Sequence, residues 1–167
     1  MLAVSAWAAQ AEGKRDEAVK LMRAAADNED ASVKHVAMEN RLYPMRELYA
    51  DLLLQQGQAP AALREFETAL KETPNRYRAL FGAGRAAELA GDRAKAVGYY
   101  EKLVGLASKA DTPRPEIAQA KTVHRGALSA RAGRAAARTG RARRGRPARS
   151  AEGARALPRR LRAGTSG

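Results

Sequence analysis

His35 and His124 are the only imidazoles in this 167-residue chain, and each is a poor start for a site. Glu39 stands four residues after His35, on the same face if that segment is helical, and Asp30 lies nearby. A metal centre needs three or four converging ligands with hydrogen-bonded support, so one imidazole beside a carboxylate reads as a surface pair. His124 has no partner at all. The chain has no cysteine, which removes thiolate ligands and disulfides together and leaves the redox compartment open. No serine or threonine stands in an arrangement with histidine and aspartate that would activate a hydroxyl. Gly82-Ala83-Gly84-Arg85-Ala86-Ala87 has the letters of a dinucleotide loop, but that loop needs a strand before it and a tight turn into a helix. Here the run lies within a helical stretch, where small residues let neighbouring helices approach. No metal, cofactor or catalytic group is therefore expected. What remains is Arg78, Phe81, Arg85 and Glu88, spaced three, four and three on one helix face. Guanidinium and aromatic groups so placed suit a peptide with acidic and apolar side chains.

The elements that must carry these residues are helices. Apolar residues make up 45% of the chain but aromatics only 5%, so alanine and leucine carry the core, and no alternating strand pattern occurs. Two segments superimpose without a gap at a period of 34: Gly57-Gln58 on Gly91-Asp92, Ala62 on Ala96, Phe66 on Tyr100. Such a period is one helix–turn–helix unit stacked on the next. The glycine closes the first helix of each pair (helix A), in a conformation that other residues adopt at a cost. The small alanine lets the second helix (helix B) approach helix A, and the aromatic fills the space between hairpins. Pro74-Asn75 ends a helix B. A weaker copy, with Gly13, Ala18, Met22 and Ala25, comes first, separated by a longer connection over Asn28–Tyr43. Helices are expected near 2–12, 15–27, 45–56, 60–72, 77–90 and 93–108, with a further turn within 30–39. A short last helix is expected near 114–123, opened by Thr112 as N-cap and Pro113 in the first turn.

A small residue within helix A, glycine at its end, alanine and Phe or Tyr in helix B and then proline resemble the tetratricopeptide repeat. The stretch ending ALREFETALKETPN and the run GAGRAAELAGDRAKAVGYYEKLV carry the likeness. The runs AWAAQAEGKRDEAVKLMRAAADNEDASVKH and MRELYADLLLQQGQAPAALREF are further similar to the C-terminal end of long bacterial tetratricopeptide proteins. The resemblance implies an all-α fold of about three hairpins (1–27, 43–76, 77–108) stacked in a right-handed superhelix, within a domain spanning 1–124. It also implies repeats missing upstream, and an N-terminal hairpin weakly held and prone to self-association. The A helices of such a fold line a concave groove. Transferred residue by residue, its lining is Trp7 and Gln10 in unit one, Glu47, Asp51 and Leu54 in unit two, and Arg78, Phe81, Arg85 and Glu88 in unit three. The function implied is protein or peptide binding without catalysis. Glu47 and Asp51 stand where tetratricopeptide domains that grip chaperone carboxylates carry Lys and Asn, which disfavours that ligand.

The net charge of +13 is unevenly placed. Residues 1–124 hold 18 Lys and Arg against 17 Asp and Glu, whereas 125–167 hold 13 arginines, no lysine and one acid, Glu152. Arg, Ala and Gly supply 32 of those last 43 residues, a composition of G/C-rich codons too poor in core-forming residues to fold. The tail reads as disordered and as an out-of-frame translation without selected structure. The alternative is an arm that binds nucleic acid non-specifically, or anionic lipid, through its charge. Arg131, Arg134, Arg138 and Arg141 have the spacing of a basic helical face. No run is long and apolar enough to span a membrane, and MLAVSAWAAQAEG lacks the positive start of a signal peptide. The cytoplasm is the default expectation.

Overall fold

A computed structural model describes residues 1–32 and 42–144; for residue 131 and for 134–144 only the backbone is described. Among the described residues seven helices follow one another: α1 (Leu2–Ala11), α2 (Arg15–Ala31), α3 (Met45–Gln55), α4 (Ala59–Glu72), α5 (Tyr77–Leu89), α6 (Arg93–Leu106) and α7 (Pro115–Arg144). No strand occurs among the described residues. The connection bearing Lys34, His35 and Glu39 lies outside them, as do residues 145–167 of the basic tail. The chain divides into two units, Met1–Ala130 and Arg131–Gly167, and the packed array belongs to the first.

The three hairpins α1–α2, α3–α4 and α5–α6 are each closed by the same turn. Gly13, Gly57 and Gly91 sit at φ of 78°, 77° and 79°. The residue after each glycine returns its amide to a carbonyl in the last helical turn: Lys14 to Ala9 at 2.9 Å, Gln58 to Leu53 at 2.8 Å, Asp92 to Ala87 at 2.8 Å. Orphan carbonyls are satisfied and the chain reverses direction at once. The α4–α5 turn achieves its reversal with Asn75 at φ 64° after Pro74.

Each helix packs on the next through α6, and α3 also touches α5. The core is mostly alanine at the close approaches, with Met22, Leu52, Leu53, Phe66, Tyr100 and Leu103 as its large buried side chains. Two glycines of α5 admit the aromatic rings. A Cβ on Gly82 would lie within 3 Å of three ring atoms of Phe66, and one on Gly84 would come within 2.6 Å of the Tyr100 ring. The Gly82-Ala83-Gly84 run is therefore a pair of sockets. Phe66 reaches across from one hairpin to the next as expected, whereas Tyr100 packs in its own hairpin, against Gly84 and Phe81, and donates its hydroxyl to Glu88 at 2.9 Å.

The joint between the first two hairpins adds polar ties to its apolar contacts. Glu29 accepts the amide of Met45 at 2.8 Å, capping α3 where Pro44 has no side-chain acceptor to offer. Arg46 reaches Asp27, Asp30 and Glu65 at 2.9, 2.6 and 2.8 Å, tying α2, α3 and α4 together. Gln56 bonds Gln10 at 2.8 Å and the Arg15 carbonyl at 3.0 Å.

Two expectations need correction. The helix expected to open at Thr112-Pro113 starts at Pro115, and the Thr112 hydroxyl bonds Asp111 instead of capping it. A residue before proline is pushed out of the α region, so Arg114 cannot be helical ahead of Pro115. Nor does that helix stop near 123: it continues to Arg144, because alanine and arginine are strong helix formers and no proline interrupts the run. The positions of Arg131, Arg134, Arg138 and Arg141 are thus helical in backbone.

Candidate functional site

The A helices α1, α3 and α5 share a cavity of about 370 Å³. Trp7 lines it from α1, Leu48, Asp51, Leu54 and Gln55 from α3, and Arg78, Arg85 and Leu89 from α5, with Tyr43 at one end. A smaller recess of about 160 Å³ shares Asp51, Leu54, Arg78 and Arg85 and adds Tyr77, Phe81 and Glu116. Spacings of three and four along α3 and α5 bring these side chains to one face, as amphipathic helices must.

Most of the charge in this groove is already matched. Asp51 accepts the Tyr43 hydroxyl at 2.9 Å and lies 3.3 Å from Arg78, whose guanidinium stacks 4.6 Å from the Tyr43 ring centre. Burial, the nearby charge of Asp51 and the bond to it push the Tyr43 hydroxyl up to about 12, so it stays a donor at neutral pH. Glu116 accepts from Tyr77 at 3.3 Å, and Arg114 stacks 5.2 Å from the same ring. Arg85 differs. It is exposed, lines both recesses, and makes no ion pair among the described residues.

Of the residues read from sequence, Trp7, Asp51, Leu54, Arg78, Phe81 and Arg85 come together here. Phe81 is half-buried and also packs on Tyr100, ring centres 6.2 Å apart, so it is partly a core residue. Glu88 is exposed, lines neither recess and accepts from Tyr100. Gln10 is held by Gln56 at the joint between the first two hairpins. Glu47 is 1% exposed and bonds the Arg76 guanidinium, with its second carboxylate oxygen unpartnered. It lies in the first turn of α3 and faces Arg76, just ahead of α5, instead of the groove. Tyr43, Leu48, Gln55 and Leu89 are additions. Leu89 and Gln55 sit four residues beyond Arg85 and Asp51, a signal that extending the helix face by one turn would have caught. Tyr43 lies in a connection with no periodicity to betray it.

Among the described residues no three His, Asp or Glu side chains cluster as metal ligands, and no helix is long and apolar enough to cross a membrane.

A family model described as "Tetratricopeptide repeat" matches residues 49–111. Among solved structures, the crystal structure of PcrH from Pseudomonas aeruginosa is similar, with a TM-score of 0.56 at 17% identity. The likeness covers 75% of this chain and 87% of that one. No curated protein matches the chain. The matched stretch runs from within α3 to beyond α6 and takes in the turns at Gly57 and Gly91 and both buried aromatics, so this part of the chain is built of tetratricopeptide repeats.

Proposed function

We propose that the chain is a non-catalytic scaffold whose A-helix groove binds a peptide segment of another protein, one with an acidic side chain beside apolar ones. The observation that carries this reading is Arg85. Arg78 and Asp51 answer each other, so Arg85 is the groove's uncommitted charge, set among Trp7, Leu48, Leu54 and Leu89. A guanidinium takes a carboxylate with two parallel bonds, and the apolar neighbours exclude water from the pair while receiving an aliphatic or aromatic side chain. The cavity is of a size that encloses a few side chains. Selecting a random 12-residue peptide display library on the intact protein tests this. Enriched sequences should combine Asp or Glu with a large apolar residue, and Arg85→Glu should abolish that acidic preference. Enrichment indifferent to Arg85→Glu would sink the reading.

A further inference from the structure

A second cavity, of about 340 Å³, lies between α4 and α6 and shares no lining residue with the groove. Its floor is apolar, formed by buried Leu80 and half-buried Leu70, and the ring of Tyr99 makes one wall. The charge around it is unbalanced. Glu67, the single carboxylate in the lining, accepts from Lys95 at 2.8 Å and from the Tyr99 hydroxyl at 2.9 Å. Burial alone would raise its pKa; those two bonds and the charges of Lys95 and Lys71 outweigh burial and hold it lowered. Glu67 is thus paired within the fold through its Oε1. Lys71 and Lys102, at the rim, are exposed and form no ion pair among the described residues. The Lys102 ammonium lies 6.0 Å from the Tyr99 ring centre, drawn over the cavity's own wall.

We propose that this cavity is a second docking site, for an acidic, apolar peptide segment of a partner protein. One aliphatic side chain sits on Leu70 and Leu80, and its flanking carboxylates meet Lys71 and Lys102. Charge complementarity selects this occupant. A nucleic-acid backbone would satisfy the ammoniums but leave the apolar floor exposed, and the lining holds no arginine fork for phosphate. The arginine-rich 125–167 of a second copy has the same sign as the rim and is repelled. Lysine suits a partner whose carboxylates arrive in varied geometry, because an ammonium acts as a point charge.

The test is a titration of the intact, ¹⁵N-labelled protein with acetyl-Glu-Leu-Asp-Leu-Glu-amide, followed by amide shifts. Shifts are expected at Leu70, Lys71, Leu80, Tyr99 and Lys102. The Gln/Asn version of the peptide should bind roughly 5-fold or more weakly, and the Lys71→Glu/Lys102→Glu double variant should lose about 10-fold in affinity for the acidic peptide, the scale of a close charge pair. Arg85→Glu, in the groove, should leave these shifts unchanged, which separates this site from the groove. The proposal is overturned by an absence of shifts, by shifts confined to the groove, by equal binding of the neutral peptide, or by inorganic phosphate alone reproducing the same shifts at the same concentration.

Discussion

Replacing Gly82 by alanine puts two opposing effects at one atom. Alanine is favoured over glycine in a helix interior by about 1 kcal/mol. Against this, the new Cβ would come within 3 Å of three ring atoms of Phe66, a side chain only 1% exposed and enclosed on all sides. A rigid ring that cannot retreat makes this overpacking, which costs about 1–3 kcal/mol, and three such contacts place it toward the upper end. The net expectation for Gly82→Ala is a loss of about 1–2 kcal/mol. Phe66→Leu removes the far end of the ring, at a cost of about 1–2 kcal/mol for the void it leaves. In that background the clash is gone and only the propensity gain remains, so Gly82→Ala should stabilise by about 1 kcal/mol. The coupling is then about 2–3 kcal/mol, with a change of sign, far above the ~0.5 kcal/mol expected of independent sites. Urea unfolding followed by circular dichroism on the four proteins of the cycle measures it. Additive effects, or a stabilising Gly82→Ala in the unaltered protein, would show that Phe66 does not sit in the Gly82 socket.

Gly98 and Gly105 are helical with nothing within 4 Å of a built Cβ, so alanine at each should raise stability by about 0.5–1 kcal/mol in the same assay, whereas alanine at Gly91, φ 79°, should lower it. Arg46→Met should cost about 1–3 kcal/mol, because it removes the cation that Asp27, Asp30 and Glu65 share at a half-buried site; a loss under ~0.5 kcal/mol in thermal melts would refute the hub. The hydroxyls of Tyr43 and Tyr99 are both raised to about 12, by burial first and then by their carboxylate partners. Folding therefore favours their neutral form: that stability is complete below the unfolded value of about 10 and is lost as pH rises from there through 12. Phenolate absorbance should show both titrating late, and Tyr43→Phe/Tyr99→Phe should flatten the fall in melting temperature over that window. Among the described residues the hydrophobic cluster runs from Ala3 to Val123, so truncation after Ala130 should leave melting unchanged. The same truncation should abolish any binding of duplex DNA, whose logarithmic salt slope in the full chain should be about 0.9 per phosphate neutralised and indifferent to sequence.

Five of the first six helices, all but α2, were legible to within two residues at each end, because most of those ends are marked by chemistry that acts locally. Glycine at positive φ and proline after a helix B stop a helix whatever surrounds it. Where no such breaker stands, the reading fell short. Asn28, Glu29 and Asp30 look like a connection, yet α2 carries them to Ala31, since polar residues do not end a helix that neighbours hold in place. Beyond Lys121 the bias of the composition drew attention away from the helix propensity of alanine and arginine, and α7 ran on. The register places Trp7, Asp51 and Arg85, which sit mid-helix, and Arg78, in the first turn of α5, on the face that lines the cavity, since the face of a helical residue follows from periodicity. Glu47 sits in a first turn and answers to Arg76 across the junction, a partnership that sequence spacing does not encode.

The two joints of the array have different histories open to them. Between the second and third hairpins, Phe66 and Gly82 fit only as a pair: a larger residue opposite the ring, or a different ring opposite the glycine, is disruptive until its mate changes too. A change at either position is therefore accommodated best when the other changes with it. Between the first and second, side-chain bonds such as Gln56 with Gln10 and Arg46 with Asp27 and Asp30 supplement the apolar contacts, and they ask for matching charge and polarity where the other joint asks for matching shape. A hairpin held in this way is an exchangeable module, and recombination can place a new neighbour there without recutting the aromatic socket that follows it.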